Sequence, residues 1–140
     1  MMNYKYSICY PNQKEIEHRN EVISANEVIS IAKNYPWEDQ LMLLDSLKEN
    51  SVYYNPSLDF ICLSNKRSFG LTAEFSKNKE LEFSLWYDRP KKVRFLFGIL
   101  GHKERMVLNE VSSVDFEMSL MYLGHFVKGN YLMLEKLYHK

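Results

Sequence analysis

Residues that carry recognisable chemistry are scarce in this chain, and their spacing does not suit it. There are two cysteines, Cys9 and Cys62, with no CxxC spacing, so neither a disulfide framework nor a cysteine-rich zinc site is written in. Spacing alone leaves a single Cys9–Cys62 bridge open, and two reduced, mostly buried thiols are the expected state. The four histidines stand at positions 18, 102, 125 and 139. None has a His, Cys or carboxylate neighbour at ligand spacing, so no metal and no cofactor is expected. Five glycines are too few and too scattered for a phosphate cradle: Gly98-Ile99-Leu100-Gly101 fits neither the dinucleotide nor the Walker pattern. No GxSxG elbow occurs, and no catalytic residue is assigned. The longest apolar run, Val93 to Leu100, is broken by Arg94 and Gly98. It falls far short of the roughly 20 residues that span a bilayer. The start, Met1 to Lys5, lacks the apolar stretch of a secretory signal, so a cytoplasmic location is the expectation.

An excess of charge is also missing. Eighteen basic side chains balance eighteen acidic ones, whereas a dedicated nucleic-acid binder carries a clear basic surplus. Charge is nevertheless uneven along the chain: residues 1–50 hold three more acids than bases, and residues 91–140 three more bases than acids. Lys91-Lys92-Val93-Arg94 forms a small basic cluster that reads as a solvated loop.

What is present is the material of an ordinary core. Hydrophobic residues make up 46% of the 140 and charged residues 26%, with ten Tyr and eight Phe. This is the size and balance of a single domain, residues 1–140, with a core of large rings. Tyr4 to Tyr10 alternates in strand period; residues 14–23 are charged and ambiguous. Asn20-Glu21-Val22-Ile23-Ser24 returns as Asn26-Glu27-Val28-Ile29-Ser30, a coincidence rather than a solenoid repeat. Ser24 and Glu27 have capping-box spacing for a helix to about Asn34, and Pro36 suits the first position of a second helix carrying Trp37, Leu41, Leu44 and Leu47.

The middle is plainest. Leu58, Phe60 and Cys62, then Phe69, Leu71, Ala73 and Phe75, then Leu81, Phe83, Leu85 and Tyr87 alternate with mostly polar residues, with hairpin-length breaks between them. The fold class expected is α+β, an antiparallel meander of at least three strands over about 57–88, packed against N-terminal and C-terminal helices. Pro90 is expected to stop the third strand. Residues 93–111 stay open between strand and helix, with 106–111 a further candidate strand. Ser112 or Ser113 is expected to cap a helix to about Lys128, closed by Gly129, before a last short helix from Asn130 to Tyr138.

Two surfaces follow. On the meander's polar face, Thr72, Glu74, Glu82, Ser84 and Trp86 come together, the composition of an interface anchor with a polar rim. Against this stands a covering helix, with the one carrying Trp37 as the candidate, that would bury Trp86 in a second small core. The alternative is a small-ligand or enzymatic pocket between sheet and C-terminal helices using His125, Tyr122 or Asp115. His102 reads as a loop residue and His139 as tail. Cys62 belongs to the apolar face, and Cys9 is the more exposed thiol.

The capped helix leading into Tyr35-Pro36-Trp37-Glu38, the segment Asn55-Pro56-Ser57-Leu58-Asp59-Phe60 and the ending Trp86-Tyr87-Asp88-Arg89-Pro90 resemble small bacterial α+β immunity proteins of polymorphic and contact-dependent toxin systems. The resemblance touches about residues 24–97, without a diagnostic motif, and transfers no binding residue. It implies a non-enzymatic protein that neutralises a toxin domain by surface complementarity. The neutral charge departs from the acidic character frequent in immunity proteins against nucleases. The expected partner is another protein, with no nucleic acid and no membrane; a homo-oligomer is a third reading.

Overall fold

The computed structural model describes residues 2–94 and 102–138, with backbone alone for 92–94 and 102–104. Six strands form one antiparallel sheet: β1 (Tyr4–Cys9), β2 (Glu17–Ile23), β3 (Ser57–Cys62), β4 (Ser68–Phe75), β5 (Leu81–Arg94) and β6 (His102–Asp115). Their order across the sheet is β2-β1-β3-β4-β5-β6. Among the described residues four α-helices complete an α+β fold: α1 (Ala25–Asn34), α2 (Trp37–Ser46), α3 (Phe116–Val127) and α4 (Tyr131–Tyr138).

The expected meander is therefore β3-β4-β5, extended by β6 on one side and by β1 and then β2 on the other. Period-2 patterning sends Leu58, Phe60, Cys62, Phe69, Leu71, Ala73, Phe83, Leu85 and Tyr87 to one face, where all are fully buried. The helices close over that face. Phe126 of α3 stacks on Phe69 at 5.6 Å, and Trp37 of α2 meets Phe83 edge-on at 4.9 Å. Val28 and Ala32 of α1 and Leu134 of α4 enter the same core. Rings of this size each remove on the order of 150–250 Å² from water, so the aromatic face supplies much of the folding free energy. The Tyr4 hydroxyl donates to the Val127 carbonyl at 3.1 Å and ties the first strand to α3. Burial, reinforced by Cys62 and Tyr131, pushes that phenol up to about 12.

The stretch 14–23, ambiguous in sequence, contains β2, an edge strand whose charges face solvent and discourage pairing with other chains. Three local expectations need correction. Pro90 does not stop the third strand. β4 begins at Ser68, opposite Asp88, so beyond that point β5 has a neighbour only in β6, and a missing amide there need break no ladder bond. Neither Ser112 nor Ser113 caps α3; β6 runs on past them, and Asp115 is the cap, its Oδ1 accepting from the Met118 amide at 2.7 Å. Ser113 instead occupies a bulge with φ 62°, where the ladder passes from Leu85–Val111 to Phe83–Val114. Pro36 precedes α2 as its N-cap rather than sitting inside it, and Leu47 lies just past its end.

Of the segment left open between strand and helix, residues 93–94 and 102–111 are strand and 95–101 lie outside the described residues. His102 accordingly opens β6 rather than a loop; His139 and Gly98 to Gly101 are outside the described residues. Both thiols are free, Cys62 buried and Cys9 half-buried.

Candidate functional site

The strand positions between the core residues point away from every helix. Register defines how they line up. One row runs Ser7, Asp59, Gly70, Trp86, Glu110 across β1, β3, β4, β5 and β6. A second runs Ser57, Thr72, Ser84. Glu74 stands opposite Glu82, and a further row runs Ile61, Ser68, Asp88, Leu108. All five residues expected on this face are brought together here, each half-buried among its neighbours.

No described helix covers the face. The expectation that the helix carrying Trp37 does so is overturned: Trp37 is 3% exposed on the opposite side of the sheet, its indole donating to the Ala32 carbonyl at 2.9 Å. Trp86 lies in the middle of the uncovered side. Its Nε1–H donates to Thr72 Oγ1 at 3.2 Å, and Thr72 Oγ1 accepts again from Ser57 at 3.0 Å. Ser84 donates to Ser112 at 3.2 Å on the neighbouring strand. The indole is thus held on the pleat rather than free to swing, which lowers the entropy lost on docking.

Carboxylates surround it. Asp59, Glu74, Glu82, Asp88 and Glu110 occupy this face, against Lys5 on β1. Glu74 and Glu82 face each other directly across β4 and β5, a like-charge pairing that weakens a sheet. Asp59, Asp88, Gly70 and Glu110 escaped the reading of the sequence. For Asp59 and Glu110 the polar phase was visible but the register that aligns β3 and β6 with Trp86 was not; Gly70 and Asp88 share β4 and β5 with the expected residues and were not grouped with them.

Gly70 shapes the centre. A Cβ there would lie 2.8 Å from Asp59 Oδ1, so the glycine gives the carboxyl room to lean over the sheet. Asp59 is solvent-exposed as a residue, while its Oδ1 lies close over Gly70 of the neighbouring strand. Burial there, then the nearby Asp88, pushes its carboxyl up to about 6. The same carboxyl, after burial itself, holds the Cys9 thiol above its ordinary value, away from reactivity.

The alternative pocket residues separate. Asp115 is engaged as the cap of α3, and His125 lies ten residues on, roughly 15 Å along the helix. Tyr122 and His125 do meet, rings 6.2 Å apart, and His125 Nδ1 lies 3.4 Å from Asn130 Nδ2. Two cavities flank the helices, and neither is lined by these three residues. Among the described residues no cluster of His, Cys, Asp and Glu is arranged to hold a metal ion, and no helix is long and apolar enough to cross a membrane.

No family model, curated protein or solved structure matches this chain.

Proposed function

We propose that this protein is a non-enzymatic binding module that docks a basic partner protein on the uncovered face of its sheet. One observation carries the reading: all four described helices pack on one side, leaving a half-buried tryptophan pinned at the centre of an acidic opposite side. Interfaces take their energy from such aromatic anchors, while a polar rim excludes water and sets the partner's sign. The facing Glu74 and Glu82 weaken the free sheet, and a lysine or arginine from a partner relieves that repulsion. In keeping with the resemblance to immunity proteins, the partner class is a cationic toxin domain, held through this face without any chemical step.

The test is capture of a partner from the protein's own cells, followed by measured affinity for wild type and two variants. Trp86→Ala should weaken binding by about 30-fold or more, the effect of losing a hot-spot aromatic. Glu74→Gln with Glu82→Gln should weaken it further as salt is lowered, because the electrostatic contribution is largest there. Affinity unchanged in both variants would remove this face from the interface.

A further inference from the structure

The helix side of the molecule holds a second feature, independent of the bare face. Where β5 runs on past the edge of β4, a groove of about 1200 Å³ opens against the start of α4, between Arg67, Lys91 and the α4 residues Tyr131 to Lys136. From this setting we infer that the groove is a binding site for a small organic anion carrying a phosphate or carboxylate head on an apolar body.

Charge argues first. Arg67, Lys91 and Lys136 contribute three cations, and none of them forms an ion pair among the described residues. The acid lining the groove, Glu135, is already committed: its two oxygens take Nε and Nη2 of the buried Arg89 at 2.7 and 3.2 Å. Among the described residues the lining is therefore positive, and its carboxylate, Glu135, is turned to Arg89.

Preorganisation argues second. The Arg67 guanidinium lies 4.0 Å over the Tyr131 ring, and its Nη1–H donates to the Tyr87 hydroxyl at 2.6 Å. Tyr131 is itself fixed by a hydrogen bond from Asn65 at 2.8 Å. One face and one nitrogen of the guanidinium are thus spoken for, and among the described residues no hydrogen bond occupies Nε or Nη2. That free edge is the fork that takes two oxygens of a phosphate or carboxylate. The amides of Tyr131 and Leu132 begin α4, where a helix leaves its N–H groups without intrahelical acceptors and favours negative charge.

The apolar part of the ligand follows from the lip. Leu132 is 82% exposed and Met133 43% exposed beside these cations. Two exposed apolar side chains next to an anion fork suit an amphiphile better than inorganic phosphate.

Calorimetric titration of the whole protein with decyl phosphate and decanoate, each kept below micelle formation, tests this. Decyl phosphate or decanoate should bind one per chain. Inorganic phosphate and decanol should each bind about tenfold more weakly or worse, since one lacks the body and the other the charge. Lys91→Met with Lys136→Met, both exposed and outside the core, should weaken the amphiphile about tenfold, and Arg67→Met at least as much. If Arg67→Met fails to fold, the lysine pair still decides. Saturation by decanol equal to that by decyl phosphate, affinity untouched in the lysine variant, or binding confined to anionic lipid vesicles overturns the assignment.

Discussion

Among the described residues Arg89 is the largest fully buried side chain, 1% exposed, and its removal should be the most damaging single change outside the aromatic core. Nε and Nη2 hold Glu135 in a two-pronged pair, and Nη1 donates to the Val107 carbonyl at 3.1 Å and to Asn109 Oδ1. The guanidinium carbon lies 5.2 Å from the Tyr87 ring and 5.8 Å from the Tyr138 ring. It therefore joins β5, β6 and α4 at one point. Arg89→Met keeps most of the volume but leaves Glu135 without its guanidinium and two β6 acceptors without that donor. Breaking a pair that is buried on the Arg89 side and 26% exposed at Glu135 costs less than the about 3–5 kcal/mol of a fully buried one, still a sizeable share of the roughly 5–15 kcal/mol that separates native from unfolded chains. Urea unfolding followed by far-ultraviolet circular dichroism reads the loss. In a Glu135→Gln background the same substitution should cost less by about 1–3 kcal/mol, because the two residues act as a unit. A loss below about 1 kcal/mol for Arg89→Met, or an equal loss in both backgrounds, would refute the view that this pair locks α4 to the sheet.

Smaller perturbations test other joints. Asp59, raised from 3.8 to about 6, stabilises the native state most when protonated; that contribution is full below about pH 4 and is lost as pH rises through about 6. Asp59→Asn should thus gain about 1 kcal/mol at pH 7.5, after discounting for the water that reaches this side chain, and nothing at pH 3.5, read from urea midpoints at both values. Gly70→Ala should push the Asp59 carboxyl outward, because its methyl arrives 2.8 Å from Oδ1. The carboxyl's titration by carbon NMR should then move down towards the ordinary range, while stability changes by less than about 1 kcal/mol. Ser24→Ala removes one half of the capping box, whose Oγ accepts from the Glu27 amide at 3.2 Å, and should cost about 1 kcal/mol in the same unfolding assay.

How far the sequence alone reached depends on whether the physics was local. Strand phase in β3, β4 and β5 is a property of neighbouring residues, so the buried set from Leu58 to Tyr87 was legible, as was the Ser24–Glu27 cap of α1. The repeated word shows the limit. Asn20 to Ile23 is strand in β2, with Val22 54% exposed, while Asn26 to Ser30 is helix in α1, with Val28 buried. The same letters take opposite structures because the second copy has a cap before it and a core beneath it, whereas the first has β1 beside it. Pro90 misled for a similar reason: whether a proline ends a strand depends on which side has a neighbour, and that is set by β4 far away in sequence. The candidate face divides along the same line. Thr72, Glu74, Glu82, Ser84 and Trp86 share two consecutive strands and could be grouped by eye. Asp59 and Glu110 join them only through register with β3 and β6. Nothing local marks Arg89 as the residue that α4 closes upon.

The two tryptophans allow the central claim to be read directly, since each lies on its own side of the sheet and each indole N–H has a different acceptor: Ala32 for Trp37 and Thr72 for Trp86. In a nitrogen-15 spectrum of the labelled protein, titrated with its captured partner, the Trp86 indole signal should shift and broaden while that of Trp37 stays in place. A Trp86 signal unmoved at saturation, with the changes gathered instead at Trp37 or on the helices, would contradict docking on the bare face.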